Sequence, residues 1–326
     1  MDKLLPWQQP HWSALQQRIM QQRIPHALLL HGPQGSGKGA FARLLSQRLL
    51  CSQPTESSGG LACGHCPSCK LFQAGTHPDY YPLVPDEGKY VLAVERVREM
   101  VVQFAFTPQC SGRKVVSINP AESMNNHSAN SLLKTLEEPP GEAVMILVSH
   151  TPARLLATIR SRCQQIAFPT PPREMALAWL EETLDNPAEA DAVLQLAEGA
   201  PLSALLLNEP SLMEHYQQMG RELIQLLEGR GNLIQIGLRW SKQACEAAVS
   251  LRWLQQWVVA LIKNEPQTGA VVSEPLSSML PLMQGVDRRK LFLFYDKVAE
   301  AIALSTTAVN KELLFDGLLL DWSKFR

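Results

Sequence analysis

The chain has 326 residues, 45% of them hydrophobic, with 30 Lys and Arg set against 31 Asp and Glu for a formal net charge of -1. That length carries two or three domains with proper cores, and the composition is globular rather than disordered. The near-neutral balance excludes the bulk basic footprint that tight, solitary nucleic-acid binding requires. No apolar run approaches the ~18 residues that span a bilayer, and no charged-then-apolar leader opens the chain, so a cytoplasmic protein without membrane contact is expected.

In residues 5–25, Trp12, Leu15 and Ile19 follow helical spacing, Trp7 can pack at the start, and Pro25 ends the helix. Residues 27–30 read as a buried strand, with four apolar side chains between polar ends and a Gly-Pro breaker directly after. In the turn GPQGSGKG, Gly32, Gly35 and Gly37 let backbone N–H groups face inward, and Lys38 stands where an ammonium reaches the outer phosphates of a nucleotide. The P-loop pattern ends in Ser or Thr, whose hydroxyl ligates Mg2+; this chain has Gly39. A helix with Phe41, Leu44, Leu45 and Leu49 on one face then leads to Cys51.

Cys51, Cys63, Cys66 and Cys69 form C-x11-C-x2-C-x2-C in loop-like sequence. Paired C-x2-C turns aim two thiolates at one small cation and a distant cysteine closes the tetrahedron, which favours structural zinc over the 51–69 loop. An iron-sulfur run calls for a further Cys where Gln73 stands, and a redox pair is the weakest alternative. As a nucleic-acid finger the loop has only His65 and Lys70 as neighbouring bases, so a stabilising clip is the better reading. Cys110, Cys163 and Cys245 are scattered and read as small buried hydrophobes.

HPDYYPLVP, at 77–85, has the content of a second strand, and Val94, Val97, Val101 and Val102 line one face of the helix after it. In KVVSINPAESM the strand at 115–118 ends on Asn119 and Pro120, where a nucleotide hydrolase places its acidic magnesium ligand and base; Glu122 lies two residues too far on. Two missing metal ligands point to a domain that keeps the architecture and gives up hydrolysis. SANSLLKTLEEPP, at 128–140, is an amphipathic helix closed by two prolines. Strands at 144–149 and 164–168 complete an α/β pattern: a parallel sheet covered on both faces, binding ligands at its carboxyl edge. From Pro169 onward only helices are expected. Ala176, Trp179, Leu180 and Leu184 form one stripe, and Val193, Leu196 and Ala197 another, stopped by Gly199 and Pro201. Four further stripes follow: Tyr216, Met219, Leu223 and Leu227; Leu251, Leu254 and Val258; Leu291, Tyr295, Val298 and Ile302; Leu313, Leu314, Leu318 and Trp322.

The altered P-loop, the four-cysteine loop, HPDYY, LLKTLEEPP, and SRC at 161–163 together resemble the delta-prime family of bacterial DNA polymerase III clamp-loader subunits, a branch of the AAA+ family. NKELLFDGLLLDW extends the resemblance toward the C-terminus. It implies a RecA-like AAA+ domain with a zinc-loop insertion over 1–168, a small helical lid over 169–208 and an all-α collar over 209–326. It also implies a ring of gamma- or tau-like motor subunits, a delta subunit and this chain, which loads the sliding clamp on primed DNA as a non-catalytic part of the polymerase holoenzyme. In such a ring Arg162 acts in trans as a finger at a neighbour's ATP site, where an added cation stabilises charge on the transferred phosphoryl group. Ser149 stands at the strand end that senses the γ-phosphate, and Leu202 replaces the lid arginine. The expectation is a stator without turnover, without a magnesium site and with at most weak ATP or ADP binding at Gly32, Gly35, Gly37 and Lys38. The alternative is an active AAA+ ATPase using its own P-loop.

Overall fold

The computed structural model describes residues 3–54, 60–86, 89–243, 247–263, 270–305, 307 and 309–326. Cys245 and the middle of the long inter-cysteine segment lie outside the described residues. The chain divides into two compact units, Met1–Trp179 and Leu180–Arg326.

The first unit is built on a five-stranded, wholly parallel sheet in the order β2-β3-β4-β1-β5. Its strands are β1 (Ala27–His31), β2 (Tyr80–Leu83), β3 (Lys114–Ile118), β4 (Ala143–Ser149) and β5 (Gln164–Ala167). Successive side chains of a strand point to opposite faces. In β1, Leu29 enters one core while Leu28 and Leu30 enter the other, and β4 divides Met145 and Leu147 from Ile146 and Val148 in the same way. Both faces are covered, which is why these strands read as unbroken apolar runs.

Helices α1 (Gln9–Met20) and α2 (Lys38–Leu50) supply Trp12, Leu15, Phe41 and Leu45 to one core. Helices α4 (Val94–Phe104), α5 (Asn126–Glu137) and α6 (Ala157–Arg162) supply Val97, Leu132 and Ile159 to the other. Between α2 and β2 lies α3 (Pro67–Gln73), with the last two cysteines of the loop at its start. The face of α4 differs from expectation: Val102 is exposed, and Met100 and Phe104 complete the buried row. The larger side chains take the core positions because they bury more apolar area. Cys110 is also corrected, being exposed on a turn, whereas Cys163 is buried. The Cys110 N–H is drawn to Asp79, which fixes its turn at the surface.

Among the described residues only helices follow β5: α7 (Arg173–Thr183), α8 (Ala190–Leu196), α9 (Pro201–Leu207), α10 (Pro210–Leu227), α11 (Leu233–Ser241), α12 (Ala247–Lys263), α13 (Ala270–Leu282), α14 (Arg288–Ser305) and α15 (Lys311–Ser323). The stripes of α10 and α12 pack as their spacing dictates, with Tyr216, Met219, Leu223, Leu251, Leu254 and Val258 buried. On α14 the core row is Leu291, Phe294, Val298 and Ala301, leaving Tyr295 and Ile302 half-buried. On α15 Leu318 and Trp322 are buried as their spacing dictates, while Leu313 is 68% exposed and Phe315 joins the core. Two rows one residue apart are both helical stripes, and Phe wins over Tyr because it has no hydroxyl to keep wet. Helix α13, with Pro275 and Pro281 inside it, has the residues that ordinarily end a helix.

Candidate functional site

The glycine loop leaves β1 at the carboxyl edge of the sheet, and each glycine is required there. Gly32 has φ +145°, and a Cβ on it would stand 2.0 Å from the Phe168 carbonyl oxygen at the end of β5. Gly35 and Gly37 have φ +79° and +88°, backbone that L side chains rarely adopt. Helix α2 starts at once on Lys38. That lysine is 2% exposed, and its Nζ donates to the carbonyls of Gly32 (2.7 Å) and Pro33 (2.6 Å) and to Ser36 Oγ (3.3 Å). Burial brings its pKa down to about 8, against the opposing pull of the Glu122 carboxylate. The loop's own oxygens surround the ammonium. Two residues outside the motif hold the loop from behind: Trp7 Nε1 donates to Ser36 O (2.9 Å) and Gln8 Nε2 to Gly37 O (3.0 Å).

Asn119 follows β3 and reaches the base of α2. A Cβ at Gly39 would stand 2.9 Å from Asn119 Nδ2, so the amide lies against the bare glycine backbone. Glu122 is turned toward the end of β4. Its Oε1 accepts from the His150 N–H (2.8 Å), the Thr151 N–H (3.1 Å) and Thr151 Oγ1 (3.2 Å). Ser149 Oγ and Glu122 Oε2 are buried without a hydrogen-bond partner among the described residues. The loop thus carries a buried lysine, and beside it the Asn119 amide lies against Gly39.

Arg162 ends α6. Its Nη1 donates to Thr158 O (3.0 Å) and its Nη2 to Glu137 Oε1 (2.5 Å), the last residue of α5. Thus SRC and LLKTLEEPP, separate in sequence, meet in one ion pair.

The four cysteines converge, their sulfur atoms all within 4.8 Å of one another. Cys51–Cys63, Cys51–Cys66 and Cys63–Cys69 sulfur separations are 3.6, 3.9 and 3.9 Å. A tetrahedron with metal–sulfur bonds of about 2.3 Å has edges of about 3.8 Å, so this set fits a metal ion of that size. Backbone N–H groups of Cys63, Cys66 and Cys69 point at the sulfurs of Cys51, Cys63 and Cys66 at 3.3–3.4 Å, which orients the three side chains toward one centre. Cys51 is delivered by the end of α2, and Cys66 caps α3.

The HPD part of HPDYY anchors this module. Ser68 Oγ donates to Leu50 O (2.6 Å) and therefore accepts from His77 Nε2 (2.8 Å), while His77 Nδ1 accepts the Asp79 N–H (3.1 Å). The buried Asp79 carboxylate takes the N–H groups of Gln109, Cys110 and Ser111 and the Ser111 hydroxyl. Burial raises its pKa, but these donors outweigh burial and hold it below the usual carboxylate value. Polar residues in a strand-entry motif were the only sequence signal for this network.

A parallel sheet in this order, with a glycine loop and a lysine-headed helix after β1 and polar residues at the ends of β3 and β4, defines a P-loop domain of the AAA+ class. The family described as "DNA polymerase III, delta subunit" matches residues 7–172. The chain is 36% identical to the DNA polymerase III subunit delta' of Pseudomonas aeruginosa, over 99% of this chain and 98% of that one. It is 33% identical to the Escherichia coli subunit delta', over 97% and 94%. The chain belongs to the delta-prime family of DNA polymerase III subunits. Among solved structures, a gamma subunit-related protein of Thermotoga maritima aligns with a TM-score of 0.48 at 17% identity, over 97% of this chain and 99% of that one.

Proposed function

We propose that this chain is the stator of a cytoplasmic clamp loader, assembled with motor subunits and a delta subunit to load the sliding clamp on primed DNA. It binds nucleotide weakly at Gly32, Gly35, Gly37 and Lys38, does not split it, and lends Arg162 to the ATP site of a neighbouring motor. In this reading 1–168 is the AAA+ domain, 169–208 the lid and 209–326 the collar, and Cys51, Cys63, Cys66 and Cys69 hold one structural zinc. The observation that carries the reading is the meeting of Gly39 with Asn119, 2.9 Å from where a Cβ would be. A hydroxyl and a carboxylate there would grip magnesium, bridge two phosphates and neutralise the transition state; glycine and an amide bring neither oxygen donor nor charge.

ATP turnover measured on the isolated chain and on the reconstituted assembly tests this. The isolated chain is expected to stay at background, and Arg162→Ala to fold normally yet slow the one site it serves by about 10^3-fold or more, the worth of an arginine finger, and so lower the turnover of the assembly. An assembly indifferent to Arg162→Ala removes the finger. Motor-like turnover by the chain alone, abolished by Lys38→Ala, overturns the stator reading in favour of an active ATPase.

A further inference from the structure

The residue that Arg162 touches has no evident reason to be there for the fold. Glu137 ends α5, where the negative end of the helix dipole disfavours a carboxylate, and Glu138 follows it. The Arg162–Glu137 pair is half-exposed, with side chains 35% and 51% accessible, and such pairs add little to stability. Yet the carboxylate stands on a rigid mount. His26 Nε2 donates to the Leu136 carbonyl (3.1 Å), one of the last of α5, and Pro139 and Pro140 bar the helix from continuing. Leu132 and Leu136 of α5 and Ile159 of α6 are buried in one core cluster, so both ends of the ion pair ride on the same packed surface.

A guanidinium has five N–H donors in a rigid fork. Glu137 takes one and Thr158 O another, on different nitrogens, which fixes the plane of the group and leaves three donors for phosphate oxygens. We propose that Glu137 is a positioning residue for Arg162: it holds the guanidinium in one orientation before a neighbour's nucleotide arrives. The proposal rests on the reading of Arg162 as a group acting in trans. Arginine otherwise loses much rotamer freedom on engaging phosphate, and a misplaced charge-stabilising group loses most of its effect.

The test is steady-state ATPase against ATP concentration in the reconstituted assembly, carrying wild type, Glu137→Ala, Glu137→Gln, Arg162→Ala or the double Glu137→Ala/Arg162→Ala chain. Glu137→Ala is expected to lower the Arg162-dependent part of kcat, the difference between wild type and Arg162→Ala, about tenfold or more, because orientation is lost, while KM for ATP stays within about twofold. Glu137→Gln keeps an acceptor and falls between, and the double variant is no slower than Arg162→Ala alone. Thermal unfolding of each free chain stays near wild type, which separates positioning from loss of fold. A wild-type kcat in Glu137→Ala, a change in KM alone, or a double variant slowed by the product of the single effects overturns the proposal. Slow Arg162→Ala with fast Glu137→Ala sinks only the role of Glu137. If Arg162→Ala itself runs at wild-type rate, the trans-acting reading beneath it fails.

Discussion

Gly39 and Asn119 show how two single residues can be one structural fact. In the sequence they are separate departures from a metal-binding pattern; in the fold the amide lies 2.9 Å from where a Cβ at 39 would be. A side chain at 39 therefore meets Asn119 first. Gly39→Ala is expected to change stability by less than about 1 kcal/mol, because alanine's helix preference over glycine offsets the displacement of one flexible amide. Urea denaturation measures this, and a loss well beyond that figure means Asn119 cannot move. Lys38 adds a second case: the motif predicts an ammonium at the loop, and in the fold the carbonyls of Gly32 and Pro33 hold it there.

At the scale of elements, the cysteine module joins the domain through the end of α2, the start of α3 and the Ser68–His77–Asp79 chain of hydrogen bonds. Spacing predicted the ligands because C-x2-C turns are local geometry; it was silent on the anchor, whose partners come from three elements. Zinc content by elemental analysis is expected to be one ion per chain and to vanish in Cys66→Ser/Cys69→Ser. In that variant, amide exchange is expected to quicken at residues 60–77, while β4, buried on both faces, keeps its protection. Retained zinc, or equal loss in β4, contradicts a clip that acts locally.

Across the whole molecule, buried histidines are expected to weaken the fold as the pH falls below neutral. Burial lowers the pKa of His77 in the first unit and of His215 in the second, in each case against a nearby carboxylate, Asp79 and Glu222 respectively. Burial also lowers His11 and His31, the latter with help from Lys38. A histidine whose folded pKa lies below 6.5 binds fewer protons folded than unfolded in that window, so stability falls as pH drops below 6.5. Urea midpoints at about pH 8, 7, 6 and 5 are expected to hold and then decline; a rise toward pH 5 contradicts this. The second unit has its own buried charge: Glu222 accepts from Trp240 Nε1 (2.7 Å), Arg239 Nε (3.0 Å) and Gln218 Nε2 (2.8 Å). Unpaired, it would cost far more than it contributes.

By itself the sequence determined the strands, the glycine loop, the four clustered cysteines, the glycine and amide at 39 and 119, and the switch to helices after Pro169. Each of these is a matter of neighbours a few residues apart, where period and spacing are the physics. Only the tertiary structure decided that Phe294 rather than Tyr295 faces the core, that Trp7 and Gln8 brace the loop, that Asp79 gathers a turn, and that Glu137 meets Arg162. Those contacts close between residues distant in the chain, and no local pattern records which hydrogen-bonding group a folded neighbour will present.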